Sequence, residues 1–99
     1  MPRPRRRRRI RKRTDIELFK PAGIPRRELE TVDIGHDEVE AIRLKDYEGK
    51  SQKEAADDMD VSQPTFSRLL KEARKKMAEA VSQGKALAVE GGHYRIEDE

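Results

Sequence analysis

Apolar positions fall into distinct periodic patterns along the 99-residue chain. Phe66, Leu69, Leu70, Ala73, Met77, Ala80 and Val81 lie within about 120° of one another at helical spacing. They predict a long amphipathic helix over about 62–83. Ser62 suits its N-cap, Pro64 lies in the first turn where a missing N–H costs nothing, and Gly84 suits the C-cap. A shorter set, Ala55, Ala56 and Met59, predicts a helix over about 51–59, opened by a capping box of Ser51 and Glu54. At about two turns it needs packing to persist. A further helix is predicted over about 37–48, between Gly35 and Gly49. Its apolar residues Val39, Ala41, Ile42, Leu44 and Tyr47 do not form one stripe.

The flanks read differently. TDIELF predicts a short strand over about 15–19. In KPAGIPRREL, Pro21, Gly23 and Pro25 mark an ordered loop, with Leu29, Val32 and Ile34 as anchors to the core. At the other end, two short strands over about 86–96 surround Gly91-Gly92, a hairpin signal. These strands have TDIELF or a second subunit as pairing partners. The fold class expected is mostly α: a trihelical helix-turn-helix core with short β flanks and a disordered basic N-terminal arm.

Composition sharpens the division of the chain. Only 33% of residues are apolar and 43% are charged, so the core is small. The net charge of +3 hides an asymmetry: residues 1–13 hold eight Arg, one Lys and no acid, whereas residues 14–99 hold 14 basic and 20 acidic residues. A block of this kind predicts a self-repelling arm over 1–13 that seeks polyanions, followed by one folded domain over 14–99. Arg5, Arg6, Arg7, Arg8 and Arg9 are its candidate phosphate contacts. The chain has no cysteine, which excludes disulfides, a thiol nucleophile and cysteine metal sites. Its longest apolar run, Ala86 to Val89, is far too short to span a membrane. The helical periodicity and serine content of a transit peptide are missing from the basic start.

The stretch DMDVSQPTFSRLL interrupts the helical pattern and restarts it at once. Residues 52–71 fit a helix-turn-helix unit. Ala56 allows close approach of two backbones, and Ala55, Met59, Val61, Phe66 and Leu69 supply the shared apolar contacts. Asp60 stands at the turn position that often adopts a left-handed conformation, which Asp visits at modest cost. Such a corner frees the start of the third helix to face outward. Gln63, Thr65, Ser67 and Arg68 are then placed to reach base edges or phosphates. Helix-start amides around Ser51, Gln52 and Lys53 and around Ser62 and Gln63 suit phosphate oxygens, and Lys53, Lys71 and Lys75 add charge.

Other chemistry is weakly represented. His36, Asp37 and Glu38 are adjacent on a helix and point apart, so they read as a cap and solvated charges rather than a metal or acid–base site. Asp57, Asp58 and Asp60 read as a solvated acidic face. No Gly-rich phosphate loop, HExxH or nucleophile elbow appears, and no convergent acid, base and nucleophile set is visible. Neither catalysis nor a cofactor or metal is expected.

Taken with FKPAGIPRREL, EAIRL, EAA, VSQPTF and the closing GKALAVEGG, residues 16–92 resemble the small prokaryotic proteins called domain of unknown function 134. That resemblance implies DNA binding and a centre similar to the sigma-factor region that reads the −35 promoter element. It matches Ser62, Gln63, Pro64, Thr65, Ser67 and Arg68 to the start of a recognition helix. Relatives often carry a cysteine in the basic start; here that segment is Arg-rich and cysteine-free, which puts metal or redox sensing in doubt for this chain.

The expected function is sequence-specific double-stranded DNA binding and transcriptional regulation in the cytoplasm, at the nucleoid. RNA polymerase or another protein is a further candidate partner. A homodimer seam is a candidate role for the distal part of the third helix. Two alternatives stand beside this: RNA binding through the arm, and a protein-interaction adaptor whose helix-turn-helix docks on a protein.

Overall fold

A computed structural model describes residues 8–10, 17–92 and 94–96. In chain order the elements are β1 (Arg8–Ile10), β2 (Leu18–Phe19), a single 3-10 turn (Arg26–Glu28) and β3 (Thr31–Ile34). Then come α1 (His36–Ile42), prolonged by a π-helical turn (Arg43–Tyr47), α2 (Gln52–Asp58), α3 (Gln63–Gln83), β4 (Ala86–Val89) and β5 (Tyr94–Ile96). The fold is mostly helical with small β flanks.

The predicted caps set the helix bounds. The Glu54 amide donates to Ser51 Oγ (3.1 Å) and the Ser51 amide to Glu54 Oε1 (3.0 Å), so the capping box closes on both sides. Ser62 Oγ accepts from the Thr65 amide at 3.3 Å, and Pro64 occupies the first turn of α3. Gly84, at φ 64°, ends α3 in the left-handed conformation that glycine adopts without penalty.

Two apolar clusters share α3 as their wall. The first joins Ala41, Leu44, Ala55, Ala56, Met59, Phe66 and Leu70, and holds α1, α2 and the leading half of α3 together. The second joins Ile34, Ala73, Ala80, Leu87 and Val89, and fixes the trailing half of α3 to the sheet. Ile42 packs against both. The untidy apolar pattern of the first helix now has a cause. Five-residue bonding widens the turn after Ile42. Tyr47 is thereby rotated away from buried Leu44 to full exposure (85%).

β4 is the centre of a three-stranded sheet in the order β2-β4-β3. It pairs antiparallel with β2 (Leu18↔Ala88, Phe19↔Leu87) and parallel with β3 (Val32↔Leu87, Ile34↔Val89). All four of its residues are buried, as expected for a strand flanked by neighbours and covered by a helix. TDIELF thus supplies a partner of β4 through Leu18 and Phe19, while residues 14–16 lie outside the described residues. Val32 and Ile34, expected only as loop anchors, belong to β3.

Three sequence expectations are corrected. The tail is no hairpin: β5 pairs parallel with β1 (Arg8↔Tyr94, Ile10↔Ile96) in a separate sheet. The turn at Gly91-Gly92 is pinned to α1, where the His36 amide donates to Gly91 O (3.0 Å), and this leads the chain away from β4. Next, Arg8–Ile10 is a strand rather than part of a disordered arm, because Ile10 is buried to 1% exposure and brings its neighbours with it. Residues 1–7 and 11–13 lie outside the described residues. Finally, His36, Asp37 and Glu38 are buried rather than solvated. Asp37 pairs with Arg8 (3.3 Å), and Glu38 bonds the Gly35 amide (2.8 Å) and Lys76 (2.7 Å). These partners offset the loss of hydration.

Candidate nucleic-acid interface

α2 and α3 meet at a corner of four residues, Met59 to Ser62. Asp60 adopts the left-handed conformation there, at φ 56°. The Val61 amide donates to Ala56 O (3.0 Å) and the Asp60 amide to Asp57 O (3.1 Å), folding the corner back on α2. Ala56, Met59 and Phe66 are fully buried beneath it. Gln52 Nε2 also reaches Gln63 O at 3.3 Å, tying the start of α2 to the first turn of α3.

This packing leaves the leading end of α3 open. Ser62, Gln63, Pro64, Ser67, Arg68 and Lys71 are exposed, as are Ser51, Gln52 and Lys53 at the start of α2. Thr65 is half-buried, and its Oγ1 accepts from Ser62 Oγ (3.0 Å), so these two hydroxyls serve the cap first. The Ser51 amide is likewise committed to Glu54. A cleft of about 450 Å³ lies beside the corner, lined by Arg8, Asp57, Asp60, Val61, Ser62, Thr65 and Arg68.

Charge is distributed unevenly along α3. Arg74 binds Asp46 through two bonds (2.6 and 3.1 Å), holding that carboxyl below the usual carboxylate range, and Lys76 binds Glu38. Arg68, Lys71 and Lys75 make no salt bridge among the described residues, nor does Lys53 on α2. The cations turned toward α1 are thus neutralised, and those on the outward face are not. Glu54 and its Ser51 cap are also part of this surface: hydrogen bonds from the Ser51 backbone and hydroxyl hold the Glu54 carboxyl below its ordinary range.

Of the arm residues proposed for phosphate contact, Arg8 and Arg9 are used by the fold. Arg8 pairs with Asp37, and the Arg9 guanidinium donates to Asp58 O (2.7 Å) and Asp57 O (2.8 Å). Arg5, Arg6 and Arg7 lie outside the described residues. The only sequence signal for this docking is Ile10, the single branched aliphatic residue within the basic block.

Elsewhere, Met77 and Val81 on the trailing half of α3 reach solvent. Val81 lines a mainly apolar groove with Phe19, Ala80 and Leu87. No group of three or more metal-ligating side chains occurs among the described residues, and no helix there is long and apolar enough to cross a membrane.

A capped short helix, a left-handed corner and a long helix with an open leading end together define a trihelical helix-turn-helix domain. The chain belongs to the family described as protein of unknown function DUF134, whose model matches residues 1–97. A UPF0251 protein of Halothermothrix orenii is 52% identical over 96 residues, covering 97% of this chain and 71% of the relative. A UPF0251 protein of a Thermoanaerobacter species is 50% identical over 99 residues, covering 100% of this chain and 88% of the relative. One from Dehalococcoides mccartyi is 47% identical over 97 residues, covering 98% and 83%. No solved structure matches the chain.

Proposed function

We propose that this protein binds duplex DNA with sequence preference and regulates transcription, inserting the first two turns of α3 into a major groove. One observation carries this reading. Gln63, Ser67, Arg68 and Lys71 are exposed at the leading end of a helix whose base is locked by the corner, and the outward cations make no salt bridge among the described residues. In this reading Arg68 bridges guanine O6 and N7, Gln63 pairs with adenine, and Lys53 and Lys71 meet phosphates. The basic residues before β1 add sequence-independent affinity by releasing counterions. Such a protein would work in the cytoplasm, on the nucleoid.

Selection of preferred sites from random duplexes tests the proposal, with structured RNA as competitor. Enrichment of a defined site that RNA does not displace supports it. Equal recovery of all duplexes, or displacement by RNA, favours a general polyanion binder acting through its arginines. Arg68→Ala is expected to cost about 1–3 kcal/mol on the selected site and little on random DNA. Equal losses on both would make Arg68 a phosphate contact.

A further inference from the structure

The carbonyls that end α2 can be accounted for one by one. Ala55 O accepts from the Met59 amide, and Ala56 O from the Val61 amide. Asp57 O accepts from the Asp60 amide and from Arg9 Nη2. Asp58 O accepts from Arg9 Nε at 2.7 Å, and Met59 O from the Arg9 backbone amide at 2.9 Å. Helix ends leave such carbonyls without intrahelical partners. Here one residue from a strand nearly fifty positions away bonds to the last three, sharing Asp57 O with the Asp60 amide, and places a full positive charge at the negative end of the helix.

From this geometry we infer that Arg9 is a positioning residue for DNA recognition, which sets the α2–α3 corner from outside the helix-turn-helix and does not itself touch DNA. The inference rests on the DNA-binding reading above. Arg9 grips Asp57, Asp58 and Met59, and the left-handed Asp60 follows immediately. Gln63 begins α3 four residues after Met59, so the aim of its leading end depends on that grip. The guanidinium is committed as a planar fork to two carbonyls; swinging it to a phosphate would strand Asp58 O and leave Asp57 O to the Asp60 amide alone. Strand β1 is itself fixed on both sides of Arg9, by Arg8 on Asp37 and by buried Ile10. Arg9 thereby separates from the phosphate-seeking arginines with which its sequence context groups it.

The test uses the full chain with Arg9→Ala and Arg9→Lys, binding the selected duplex and a random duplex across a salt series, at a temperature where circular dichroism shows each variant folded. Lysine retains the charge and the aliphatic stem but lacks the fork. Both variants are expected to lose roughly 10- to 100-fold on the selected duplex and to approach their affinity for random DNA. The slope of log affinity against log salt should stay at its wild-type value. A slope reduced by about one in Arg9→Ala but unchanged in Arg9→Lys, with Lys binding like wild type, would make Arg9 a phosphate contact and overturn the inference. Wild-type binding by both variants overturns it too. Should Arg9→Ala not fold, Arg9→Lys decides alone. If the wild-type chain shows no site preference, the DNA-binding reading fails and this inference falls with it; a wild-type preference kept by Arg9→Lys sinks only the inference.

Discussion

Gly92 sits at φ 95° with its Cα against the first turn of α1. A Cβ there would lie 2.5 Å from Asp37 Oδ1 and 3.1 Å from the His36 amide nitrogen. Gly35 meets the same carboxylate, where a Cβ would stand 2.6 Å away. Asp37 is therefore enclosed by two backbones and tied to Arg8. Gly92→Ala combines a steric clash with an unfavourable φ and should destabilise the fold by about 1–3 kcal/mol in urea unfolding. A second expectation concerns pH. The folded state holds Glu54 below its ordinary range, chiefly through the Ser51 backbone hydrogen bond. Its contribution is complete above the unfolded carboxyl value, and is lost as pH falls through the lower folded value. Asp46 and Glu79, lowered by Arg74 and Lys85, act in the same direction. Stability measured from about pH 5 downward should decline, and Glu54→Gln should decline less steeply than wild type.

At the scale of elements, Phe66 joins α3 to both α1 and α2, and its side chain is wholly buried. Phe66→Ala should lower unfolding free energy by about 3–5 kcal/mol, a large share of what a domain of this size possesses, and calorimetry would register it as a fall in Tm. Legibility in the sequence varied by element for physical reasons. α2 and α3 were readable because their caps and apolar spacing agree, and Asp60 because its place in the corner demands a left-handed residue. The facing of the first helix was unreadable, since the π turn at Arg43–Tyr47 breaks the period that the eye follows. β1 was hidden by charge: eight arginines within thirteen residues read as an unfolded arm, and one isoleucine is a faint counter-signal. The partner of β5 was hidden because pairing between distant segments leaves no local trace. For the candidate interface, Gln63, Ser67, Arg68 and Lys71 are found exposed where the pattern placed them. The commitment of Thr65 to the cap and of Arg9 to α2 required three-dimensional knowledge.

For the whole molecule, the opposing charges of the basic start and the acidic remainder define separable contributions. Residues 1–7 contain four arginines and precede the first strand. On the DNA-binding proposal, removing them should reduce the salt slope of binding by up to about four while leaving urea stability unchanged. Removing residues 1–13 also deletes Ile10, the Arg8–Asp37 pair and the Arg9 bonds, and should cost about 2–5 kcal/mol of stability. Equal stability of the two truncated chains would show that β1 contributes nothing to the fold.

The parallel pairing of Arg8–Ile10 with Tyr94–Ile96 joins segments separated by nearly the whole chain. Contacts of such long sequence separation carry a large loop-closure cost, so they assemble after local helices have formed. During synthesis, the early strand has no β5 to pair with until Tyr94–Ile96 have been made and have emerged. Helix α3 is made well before that moment, whereas the β1–β5 pair closes only afterwards. On the DNA-binding reading proposed above, a nascent chain would reach its full affinity only as these two strands pair.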